Sequence, residues 1–167
     1  MKSFISILLI CFFFSCKNNN TSPHHDSDLL NVTYTNYKNL DFLKDYEKVS
    51  DTAYIKSGSY NSHRITQLKK NETILILFAK IKVDENTEEE NITVIDTLVI
   101  RDIKKNQKVT IGYCETESYL MEEIITIVEK TKRDTIQNVV KTWVANHETN
   151  RIEPMDNSKI LFCYKAR

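Results

Sequence analysis

ETILILFAKIKV (72–83) and, after an acidic connection, NITVIDTLVIRDI (91–103) are two runs rich in β-branched residues, and each has the length and composition of a strand. The same grammar extends outward from them. On the C-terminal side, KVTIGYC (108–114) follows KKNQ, and EEIITIVEK (122–130) leads through TKRDT to NVVKTWVA (138–145). The HETN turn then precedes KILFCYK (159–165). On the N-terminal side, RITQL (64–68) turns into the first run through Lys69-Lys70-Asn71, and DTAYIKSGSY (51–60) reads as an earlier strand interrupted at Gly58. Connections of four to seven residues are too short for parallel crossovers, which take about a dozen or more, so neighbouring strands are expected to run antiparallel.

The fold expectation is therefore mainly β: an antiparallel meander forming a strongly curved sheet or an up-and-down barrel, with division into a sandwich as a third outcome. In NYKNLDFLKDYEK (36–48), Tyr37, Leu40, Leu43 and Tyr46 follow Asn36 or Asn39 as a cap and predict one short N-terminal helix packed on the sheet. The chain has only two glycines, so the hairpins are expected to be looser than two residues, with Asn supplying the positive-φ positions. Trp143 is expected to anchor the core rather than to form a ligand platform.

The N-terminus carries a different message. Met1-Lys2 precedes FISILLICFFF (4–14), the charged and apolar regions of an export signal. Phe4 to Ser15 is 12 positions, whereas a helix crossing a bilayer needs about 20 apolar residues. Phe13-Phe14-Ser15-Cys16 resembles the lipobox of bacterial lipoproteins, with Phe13 and Phe14 departing from the usual Leu-Ala/Ser-Gly/Ala preference. The resemblance covers residues 1–16 and implies a signal peptide over 1–15, diacylglycerol on Cys16, and membrane attachment through that lipid. Acyl chains contribute about 0.8 kcal/mol per buried CH₂, so two or three of them hold firmly.

KNNNTSPHHDSD (17–28) is polar throughout and is expected to be a flexible tether, leaving 29–167 as a single β-rich domain. Of the four cysteines, Cys11 lies in the leader and Cys16 takes the lipid. Cys114 and Cys163 are then expected to form one structural disulfide in an oxidising compartment.

Charge and motifs exclude more than they assign. Lys and Arg number 23 against 23 Asp and Glu, so without Lys2 the balance is 22 to 23 and lacks the basic surplus used on nucleic acid. Lys69-Lys70, Lys104-Lys105 and Lys130-Thr131-Lys132-Arg133 are read as solvated turns, as is Glu88-Glu89-Glu90. Two widely separated glycines rule out G-x-S-x-G, G-x-G-x-x-G and the P-loop. No catalytic residue, metal ligand or cofactor is assigned. His24-His25-Asp26 sits in the tether, without the rigid geometry of a metal site, and His147 is read as solvated in its turn.

The expected function is a lipid-anchored cell-envelope protein facing the periplasm that binds a protein or another envelope component. In architecture alone it is similar to the small disulfide-bridged periplasmic inhibitors, such as those of lysozymes. Immunity against a delivered toxin and a small enzyme with a barrel cavity are the alternatives, the enzyme being less favoured. Asp51-Thr52-Ala53, Asp96-Thr97-Leu98 and Asp134-Thr135-Ile136 also resemble short O-glycosylation acceptors.

Overall fold

The computed structural model describes residues 26–55, 62–117, 119 and 121–165. The leader, Cys16, His24-His25 and Gly58 lie outside the described residues. The strands are β1 (Thr33–Tyr34), β2 (Glu47–Ile55), β3 (Ser62–Lys70), β4 (Thr73–Val83), β5 (Glu90–Ile100), β6 (Gln107–Ile111), β7 (Cys114–Thr116), β8 (Ile124–Glu129), β9 (Thr135–Ile136), β10 (Val139–Asn146), β11 (Arg151–Met155) and β12 (Ile160–Tyr164). They form three antiparallel sheets, ordered β1-β5-β4-β3-β2, β11-β10-β8-β6 and β7-β12-β9.

The mainly β, antiparallel expectation holds, and β2 to β5 are a true meander. The barrel is not found, because none of the sheets closes, and the strands divide among three sheets rather than forming one. The break falls at Gly112, where KVTIGYC was expected to be one strand. Its φ of +76° suits glycine, and the chain leaves β6 in the second sheet to begin β7 in the third.

Side chains from the first two sheets meet in the main core: Ile65, Ile76, Phe78 and Leu98 from one side, Ile125, Trp143 and Ala145 from the other. Trp143 is the expected core anchor. A bulge makes this packing possible on β5. Phe78 pairs with Asp96 but Ala79 pairs with Val94, so Ile95 is extra. The one-residue insertion turns Ile92 and Val94 to the outer face while Leu98 and Ile100 point to the second sheet.

The outer face of the first sheet is covered by the N-terminal segment, through Leu29, Tyr34 and Leu43. The helix expected over 36–48 is instead a single 3-10 turn, Tyr37–Asn39, followed by further turns up to β2. Tyr37, Leu40, Leu43 and Tyr46 recur every three residues, not every 3.6. Each span closes with its own i→i+3 bond: Leu40 N–H to Tyr37 O, Leu43 N–H to Leu40 O, and Tyr46 N–H to Leu43 O at 3.1, 2.8 and 2.9 Å. Residues 26–28, assigned to the tether, are docked as well, since Asp26 N–H donates to Thr97 Oγ1 at 2.8 Å.

The third sheet covers the opposite face of the second, around Cys114, Ile136, Val144 and Cys163. Cys114 and Cys163 face one another in register across β7 and β12, with Cα atoms 4.0 Å apart, and are joined by the expected disulfide. β11 carries Pro154 and was not anticipated as a strand; it lies at a sheet edge, where a missing N–H is tolerated. The β3–β4 hairpin is tighter than expected: Lys70 pairs with Thr73 across two residues, with Asn71 at φ +54° taking the role a glycine would fill.

Candidate binding groove

β2 ends the first sheet on one side and β6 ends the second, so these edges border one seam of the sandwich. At one point the seam is shut: a Cβ on Gly112 would lie 3.8 Å from Thr52 Cγ2. Towards the end of β3 it opens into a groove of about 610 Å³. Its apolar wall is Val49, Ile74, Ile103 and Val109, and its polar rim is Lys69, Lys104, Lys105, Lys108 and Lys130, with Glu72 the one carboxylate among the described lining residues. Val49 is 54% exposed because β2 bulges there, between Lys48 and Ser50.

The lysines are mounted on fixed backbone. Gln107 N–H donates to Lys104 O at 2.8 Å, while Lys104 N–H donates to Gln107 Oε1 at 3.2 Å, and this closes the turn before β6. That turn is pinned to the end of β8 by Lys130, whose N–H donates to Asn106 O at 2.7 Å and whose ammonium donates to Lys105 O at 2.9 Å. The sequence presented these residues as three separate solvated turns. Sheet topology gathers them, because the ends of β3, β5 and β8 fall at one end of the sandwich.

The groove carries unbalanced positive charge. Lys70 pairs with Asp45, Lys48 with Asp51, and Arg64 with both Asp51 and Glu90. Among the described residues none of the five groove lysines has a carboxylate within 4.0 Å. Partial burial holds the Lys108 ammonium below the usual lysine range, and the charges of Lys165 and Lys130 push it the same way. A multiply charged anion would relieve that repulsion. Lysine suits phosphate, which it meets as a point charge with three donors, and no arginine fork for planar carboxylates lines the groove.

The chain matches no protein-family model, no curated protein and no solved structure.

A second polar cluster occupies the opposite end of the sandwich. Glu123, 2% exposed, ends the 3-10 turn before β8, and its Oε1 meets His147 Nδ1 from the β10–β11 turn. The His63 ring stacks on Phe78 at 5.4 Å and lies 6.3 Å from the His147 ring. His147 is thus in its expected turn but not simply solvated: its partner lies 24 positions away in sequence, beyond the reach of local patterning. Among the described residues no three His, Cys, Asp or Glu side chains are placed to hold a metal ion. Of the glycosylation triplets, Thr97 is fully buried and Thr135 is exposed.

Proposed function

We propose that this chain is a lipid-anchored cell-envelope protein whose β domain binds an envelope component in the lysine-lined groove. The observation that carries the binding reading is the convergence of five lysines without carboxylate partners on one groove with an apolar wall. Two features support the location. The Cys114–Cys163 disulfide belongs to oxidising compartments, and the leader ends in a cysteine placed for lipidation. The second sheet packs against the first through Ile125, Trp143 and Ala145, so the sandwich interior is filled with side chains. The enzyme alternative based on a barrel cavity loses its cavity.

Mass spectrometry of the native protein tests the anchor. The expected N-terminal peptide starts at Cys16 with acyl chains attached, and Cys16→Ala abolishes the modification. A native chain that begins at Met1 in the cytoplasmic fraction, with Cys114 and Cys163 reduced, overturns the reading.

A further inference from the structure

We infer that the lysine groove docks the domain onto the phosphates of anionic phospholipids in the same membrane that holds Cys16; the inference rests on the anchor proposed above. Three observations carry it. The charge is unbalanced and arranged for phosphate, as described. The apolar wall of Val49, Ile74, Ile103 and Val109 lies beside the lysines, matching a ligand whose charged head continues into glycerol and acyl carbon.

The third is the direction in which the chain leaves the domain. Residues 26–34 run antiparallel to β5: Tyr34 pairs with Ile92, Thr33 with Thr93, Asn31 N–H donates to Val94 O, and Asp26 N–H to Thr97 Oγ1. Followed back towards the anchor, the chain therefore heads along β5 towards Ile100, beyond which lie Ile103, Lys104 and Lys105 of the groove. Thr97 is three residues from the end of β5, about 10 Å at strand spacing. The ten peptide steps from Cys16 to Asp26 span at most about 35 Å. An anchor so placed presents the lysine end of the sandwich to the headgroups and keeps the histidine end away. Each lysine at an anionic surface strengthens attachment on the order of fivefold, an effect that salt screens.

The test uses the full native chain, reconstituted into phosphatidylcholine vesicles with or without phosphatidylglycerol, and reads amide hydrogen exchange by mass spectrometry. Exchange over 101–108 is expected to slow about fivefold with phosphatidylglycerol at low salt. The slowing should vanish in high salt and in Lys104→Glu/Lys105→Glu/Lys108→Glu, and persist in Lys80→Glu/Lys82→Glu, whose charges lie towards the other end of β4. Exchange across β3 and β10 confirms that each variant is folded.

Equal exchange in the two vesicle types overturns the inference, as does slowing that survives the triple variant. Slowing by soluble glycerol 1-phosphate in neutral vesicles, with none from phosphatidylglycerol, assigns the groove to a soluble phosphate and also overturns it. The N-terminal peptide in the same digest reports the acyl chains separately. Lysine-dependent slowing on an unacylated chain sinks the anchor alone, and an acylated chain with no slowing sinks the docking alone.

Discussion

At the scale of single residues, the buried polar groups give the sharpest tests. Burial pushes the Tyr34 hydroxyl up to about 12; Asp51 adds to the effect and Arg64 opposes it. The folded state thus holds this proton more tightly than the unfolded chain, where tyrosine ionises near 10. Stability from this group is complete below about pH 10 and falls between about 10 and about 12. Urea midpoints measured across that window should decline more steeply in the native chain than in Tyr34→Phe. In the histidine cluster, His147→Ala leaves the Glu123 carboxylate buried without its imidazole and should cost about 3 kcal/mol. Adding Glu123→Gln should recover part of that loss, and a fully additive double variant would show that the two side chains do not interact. Neither Tyr34 nor Glu123 was legible as special in the sequence, because each owes its character to neighbours brought in by other strands.

At the scale of strands, β-branched runs bounded by polar connections located β3, β4, β5, β8, β10 and β12 well; β4 and β8, buried on both faces, are continuous apolar runs rather than alternating ones. What alternation misses is a change of phase. The extra residue at Ile95 and the break at Gly112 each move side chains to another face or another sheet without altering local composition. The three-residue rhythm of Tyr37, Leu40, Leu43 and Tyr46 was visible but lies close to the helical period. The second sheet adds a feature that no single strand reveals: Thr110, Thr126 and Thr142 stand side by side across β6, β8 and β10. All three are buried, and their hydroxyls have no hydrogen-bond partner among the described residues. Thr126→Val keeps the shape and removes a desolvated hydroxyl, so it should raise unfolding free energy by about 1 kcal/mol in urea titrations.

For the whole molecule, the order of layers is N-terminal segment, first sheet, second sheet, third sheet, with the disulfide in the outermost layer. Cys114 and Cys163 are 49 positions apart, and closing a loop of that size stabilises by about 4 kcal/mol in the chain-entropy account. Cys114→Ser/Cys163→Ser should lower the unfolding free energy by that order, read by chemical denaturation under matched conditions. The cysteines and their pairing were legible by elimination, whereas the lysine groove was not, because it exists only once three strand ends share one edge of the sandwich. The two ends of the chain are also held very differently. β12 is flanked by β7 and β9 and stapled to β7, while β1 touches β5 over only two residues. A mechanical pull on the chain N-terminal to Asp26 would therefore peel residues 26–46 away like a strip of tape, letting out about 70 Å of chain before β2 bears any load.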